Sequence, residues 1–117
     1  MKKIALLLGL SLGWATGSFA AGAAVSGDAA AGKDKSVACG ACHGADGNST
    51  APFPKLAGQG ARYLLEQMQA IRDGGRSVPT MVGQVDNMSD QDLADIAVYY
   101  SAQSRSGGQT DPELLAL

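Results

Sequence analysis

One histidine, His43, and two cysteines, Cys39 and Cys42, are the only imidazole and thiol groups in this 117-residue sequence. A structural zinc centre takes about four ligands, which these three side chains do not supply. No run of lysine or arginine occurs, and 9 basic residues stand against 11 acidic ones. That balance argues against nucleic acid, whose binding is dominated by phosphate neutralisation, and against an anionic membrane surface. The one strongly apolar run, Ile4 to Leu12, has about half of the ~20 residues a membrane-spanning helix needs. No segment alternates apolar and polar residues with β-branched enrichment, so no sheet is expected. No internal repeat is found.

What is present begins with a leader. Lys2 and Lys3, the apolar run and Ser18-Phe19-Ala20 have the layout of a secretory signal peptide over residues 1–20. Cleavage after Ala20 implies export to a bacterial-type periplasm; a retained leader would instead give peripheral membrane association. The exported chain keeps 97 residues, with seven basic groups against 11 acidic ones, a charge of about −4. That is one domain. A core so small gains considerably from a large buried cofactor. Docking partners should be neutral or basic near the contact.

Residues 21–27 are small and read as a flexible N-terminus, residues 28–103 as the domain, and 104–117 as a polar tail ending in Leu114, Leu115 and Leu117. Asp28 can cap a helix over 29–38. The glycine- and proline-containing stretch 44–60 reads as a loop. A second helix is predicted over 61–73, stopping at Gly74-Gly75. A turn-rich stretch with Arg76, Pro79 and Gly83 follows. Ser89 and Asp92 resemble a capping box, with Asp in the usual Glu place. Leu93, Ile96, Ala97 and Tyr100 continue from it as an apolar stripe. The expected fold is all-α: three or four short helices wrapped around something.

Cys39-Gly40-Ala41-Cys42-His43 matches C-x-x-C-H, the attachment signature of c-type haem. Two thiols three residues apart can each add to one of the two vinyl groups of one porphyrin. The adjacent histidine is then carried under the ring, where its imidazole can bind iron. A thioredoxin-like pair would need a βαβ setting, and a bare disulfide leaves His43 without a role. One covalent haem is therefore expected. A second axial histidine is not available, so Met68, Met81 and Met88 compete for the other face. Met68 sits in the apolar stripe of the second helix, where core packing is expected. Met88 precedes the Ser89 cap and can staple onto Leu93. Met81 has no helical duty and follows His43 at a distance that lets the chain pass around the porphyrin, so elimination leaves Met81.

Four stretches carry a wider resemblance: Cys-Gly-Ala-Cys-His-Gly-Ala-Asp-Gly-Asn (39–48), Phe-Pro-Lys-Leu-Ala-Gly-Gln (53–59), Tyr-Leu-Leu-Glu-Gln-Met (63–68) and Ser-Asp-Gln-Asp-Leu-Ala-Asp-Ile-Ala-Val-Tyr-Tyr (89–100). Over about Gly27 to Gln103 the chain resembles class I cytochrome c, and within it one domain of the cytochrome c4 group. The resemblance implies the cytochrome c fold. It implies that Pro54 offers its carbonyl to the other imidazole N–H of His43, and that Met81 lies where the family has its axial sulfur. It also implies that Gly32 is the small residue where the first and last helices cross, packed by Ile96 and Tyr99. Gln59, Arg62 and Arg76 could reach haem propionates or could equally be solvated surface. Members of that group have two such domains in tandem, and Asp111-Pro112-Glu113-Leu114 resembles the segment joining them.

The expectation is a monomeric periplasmic carrier of single electrons rather than an enzyme. The resemblance implies a membrane quinol-oxidising complex as donor and a respiratory terminal oxidase as acceptor. Two rivals are a haem enzyme in which Met81 is displaced, peroxidase-like or gas-binding, and an electron-transfer subunit tethered through residues 104–117 or the leader.

Overall fold

The computed structural model describes residues 24–49 and 52–107. The leader, residues 1–20, and tail residues 108–117 lie outside the described residues. Among those described there are four α-helices, one short 3-10 turn and no strand. The helices are α1 (Ala29–Lys35), α2 (Val37–His43), α3 (Ala61–Arg72) and α4 (Asp90–Ser101), with the 3-10 turn at Pro79–Met81 between α3 and α4.

The helix starts are chemically explicit. Asp28 accepts hydrogen bonds from the backbone N–H groups of Ala30 and Ala31 at 2.9 and 3.3 Å. At α4 both halves of the capping box form: Asp92 N–H donates to Ser89 Oγ at 3.1 Å, and Ser89 N–H donates to Asp92 Oδ2 at 3.0 Å. Aspartate thus serves in the place where glutamate is usual.

One expectation is corrected. The single helix predicted over 29–38 is two helices, broken at Ser36. Ser36 has φ −88° and ψ 6°, in the sparsely used bridge region. Its hydroxyl donates to Lys33 O at 2.9 Å, and its N–H is shared between Gly32 O and Lys33 O. A serine that bonds back to the preceding turn bends a helix, and here the axis restarts. The restart makes the whole cysteine–histidine motif helical, beyond the expected helix end at 38.

α4 is the spine. It packs against α1 on one side and α3 on the other. Leu93, Ile96 and Tyr100 are almost fully buried, and burying side chains of this size is worth roughly 1.5–3 kcal/mol each. α1 crosses α4 with Gly32 directly over the backbone of Asp95. The described part of the N-terminal segment also lies on α4. A Cβ at Gly27 would come within 2.6 Å of the Ala94 carbonyl oxygen, and Gln91 donates to Ser26 O at 3.3 Å.

A buried carboxylate holds this crossing. Asp95, 4% exposed, accepts from Lys35 Nζ at 2.6 Å, from Asp28 N–H at 2.8 Å and from Gln91 Nε2 at 2.8 Å. Lys35 is shared with Asp92 at 2.8 Å. Lys35 first, then the Asp28 amide and Gln91, hold the Asp95 carboxyl down to about 2. The unfolded carboxyl titrates near 3.9, so the folded state prefers the ionised form. The stabilisation is therefore present above about pH 4 and is lost as pH falls towards 2. Asp95→Asn should lower the melting temperature at pH 7 and flatten its decline between pH 4 and 2. An unchanged acid limb in that variant would assign the decline to the other salt-bridged carboxylates.

Candidate functional site

The helical motif puts Cys39, Cys42 and His43 at positions i, i+3 and i+4, one face of α2. All three line a single crevice of about 1030 Å³, counted to its open mouth. Pro54 and Met81 line the same crevice. The five residues singled out from the sequence are thus brought together. Met68 is there too, on the α3 wall, whereas Met88 is packed outside it, against the core cluster of Ile96 and Tyr100.

His43 is 7% exposed and its Nδ1 lies 2.8 Å from the Pro54 carbonyl oxygen. A carbonyl only accepts, so Nδ1 carries the proton and Nε2 keeps its lone pair. The ring is flanked by Phe53, with centroids 6.2 Å apart. The two thiols are unbridged and differ in setting: Cys39 is half-buried and Cys42 exposed. Burial pushes the Cys39 thiol up.

The loop after the motif is a second structural surprise of the region. Gly47 has φ +78°, and a Cβ there would meet the Tyr100 ring at 2.7 Å and Ala57 N at 2.8 Å. Only glycine fits both demands. Its carbonyl accepts from Leu56 N–H at 2.8 Å and Ala57 N–H at 3.1 Å. Those bonds bring the Pro54 limb of the loop back beneath α2.

Met81 closes the 3-10 turn. Pro79 opens it with a fixed φ, Met81 N–H donates to Val78 O at 2.8 Å, and Gln84 N–H donates to Met81 O at 3.1 Å. Arg76 lines the crevice and donates to Gln67 at 2.8 Å. Gln59 and Arg62 are not among the lining residues. Arg62 lies 3.6 Å from Glu66 on the surface of α3.

Tyr100 was read only as part of an apolar stripe, yet it carries the polar end of the crevice interior. It is 1% exposed, and its hydroxyl lies against the Ser36 and Cys39 side chains. Burial pushes that hydroxyl up to about 12. The stripe placed Tyr100 on the inward face of α4, but periodicity does not show that its hydroxyl would be buried with it. Tyr99, its neighbour, instead donates to Ala45 O at 2.8 Å.

These residues suit haem. The walls are mainly apolar, from Leu56, Leu64, Ile71, Val85 and Ile96. The donor set is an imidazole nitrogen, a thioether sulfur and two thiols, which is the chemistry of an iron porphyrin attached through sulfur.

Residues 20–102 match the Cytochrome c family. Cytochrome c-554(548) of Halomonas halodenitrificans is 50% identical over 82 residues, covering 67% of this chain and 99% of that protein. The chain belongs to the cytochrome c family. Its cofactor is accordingly a covalently bound haem c, and its cytochrome c4 relatives are electron-transfer proteins. Cytochrome c4 of Pseudomonas aeruginosa is 57% identical over 117 residues, covering 99% of this chain and 56% of that protein. The crystal structure of reduced recombinant cytochrome c4 from Pseudomonas stutzeri superposes with a TM-score of 0.71 at 56% identity, covering 76% of this chain and 52% of that one. This cytochrome therefore spans about half the length of those two cytochrome c4 relatives. No helix among its described residues is long and apolar enough to cross a membrane.

Proposed function

We propose that this cytochrome carries single electrons in the periplasm, with haem joined through Cys39 and Cys42 and with His43 and Met81 as axial ligands. The carrying observation is one crevice lined by both thiols, by the Pro54-oriented imidazole and by the Met81 thioether. When bound, the haem supplies an iron that alternates between the ferrous and ferric states.

The chain's own contribution is to hold still. Pro54 fixes the tautomer and the plane of the His43 ring. The 3-10 turn fixes Met81, and a thioether ligand raises the potential relative to a second nitrogen. With His43 and Met81 both holding the iron, no coordination position would be left for substrate, which would favour electron transfer over catalysis. The exported location rests on the leader-like residues 1–20, and the donor and acceptor on the cytochrome c4 likeness: a membrane quinol-oxidising complex and a respiratory terminal oxidase.

The test is an absorption spectrum of the exported protein, oxidised and then reduced with dithionite. A sharp reduced α-band with a weak far-red band in the oxidised form is expected. Cys39→Ala with Cys42→Ala should remove haem from the denatured chain. A high-spin spectrum would move the protein to the haem-enzyme reading. A chain without haem, made in cells that mature c-type cytochromes, would return the thiols to a disulfide or dithiol role.

A further inference from the structure

The loop that presents Pro54 to His43 is gripped from outside by the segment that leaves α4. Asn48, on the first limb of this loop, donates from Nδ2 to Ser104 O at 2.9 Å and accepts from Ser106 N–H at Oδ1 at 2.8 Å. Its second Nδ2 proton goes to Asp46 at 2.9 Å, and its own N–H to the other Asp46 oxygen at 3.0 Å. An asparagine amide has two donors and one acceptor oxygen, and here every one of them is committed. On the second limb, Lys55 donates from Nζ to Ser106 O. Gly58 N–H, further along that limb, donates to Tyr100 O at 3.0 Å.

Ser104 to Gly107 has no apolar side chain, no helical bonds and an exposed surface. Nothing in its composition calls for order. Its backbone is nevertheless held at Ser104 and Ser106 by one residue from each limb, and Lys55 is the residue immediately after Pro54.

We propose that residues 104–107 are a clasp across the His43 loop, and that Asn48 and Lys55 are positioning residues acting on His43 through the Pro54 carbonyl. The inference rests on His43 being the haem ligand proposed above. A strong bond from Nδ1–H to a carbonyl makes the imidazole a better donor, which favours the oxidised iron. Loosening the clasp should let Pro54 drift, weaken that bond and favour the reduced iron.

The experiment takes the full haem-loaded chain as wild type, Asn48→Ala and Lys55→Met. Two quantities are read: the midpoint potential in a spectroelectrochemical titration, and the pattern of shifted haem methyl resonances in the oxidised protein, which depends on the imidazole plane. Both variants should change the methyl pattern, and Asn48→Ala, which alters no charge, should shift the midpoint positively. Asp95→Asn, which loosens the α1–α4 crossing instead, should leave both at wild-type values. Variants that lose stability but keep the wild-type midpoint and methyl pattern would reduce the clasp to a structural tie. Should Asn48→Ala fail to accumulate, the methyl pattern of Lys55→Met decides alone, since that side chain reaches the clasp at the surface. A wild-type protein without low-spin, histidine-ligated haem would instead overturn the functional proposal, and is seen before any variant is compared.

Discussion

Gly32→Val should leave little folded protein, and Gly32→Ala should cost about 3 kcal/mol, the upper part of the range for overpacked sites. A Cβ at Gly32 would stand 2.0 Å from the Asp95 carbonyl oxygen, 2.5 Å from its carbon and 2.9 Å from Tyr99 Cβ. The nearest obstacle is backbone, so no side-chain rotation relieves it. α1 must lift from α4, yet it is pinned to Asp95 near both ends, by the Asp28 amide at 2.8 Å and by Lys35 at 2.6 Å. Lifting the helix weakens those bonds as well as the packing. Against a total stability of about 5–15 kcal/mol, the alanine variant keeps a fold with a clearly lower guanidinium midpoint. The valine variant, with two more methyl groups against the same carbonyl, should be degraded or accumulate without haem. A wild-type midpoint for Gly32→Ala would mean that the helices do not approach so closely.

That crossing also marks how far sequence reasoning reaches. Asp28 and Ser89 could be read as caps because capping is local: the side chain and the amides it serves lie within three residues. The α4 stripe was legible because periodicity is local too. The break at Ser36 was not, since a serine after Lys35 is compatible with a continuing helix. Only the back-bond to Lys33 and the packing of α1 across α4 select the bend. Asp95 was invisible for a related reason. In the linear pattern it is one more acid on a helix with acids at 90 and 92. Its burial depends on Lys35 and the Asp28 amide arriving from 60 and 67 residues away.

The site follows the same division. The cysteines and the histidine sit in five consecutive residues, so spacing alone names their chemistry. Pro54 and Met81 are remote from them, and came from a family likeness and from elimination. Tyr100 was legible only as one residue of the α4 stripe, and Asn48 only as a loop residue. An asparagine in a loop is ordinary, and the partners that commit its amide, Ser104 and Ser106, belong to a stretch whose composition reads as a loose tail.

Met81→Ala should give the largest functional change of any single substitution short of losing the haem. The far-red band of the oxidised protein should vanish, carbon monoxide should bind the reduced protein readily, and the midpoint potential should fall with the loss of the thioether. Met68 is the demanding control, because it lines the same crevice and also packs against the core cluster. Its position on α3 beside buried Leu64 gives it a packing role. Met68→Ala should therefore cost stability, about 2 kcal/mol at the low end for core truncations to alanine, while keeping the band. Met88 lies outside the crevice, so Met88→Ala should keep the band as well. Loss of the band in Met68→Ala alone would transfer the axial role to α3 and leave the 3-10 turn as a wall. A wild-type protein that already binds carbon monoxide readily would mean that Met81 is displaceable, and would favour the gas-binding or peroxidase-like rival over the electron carrier.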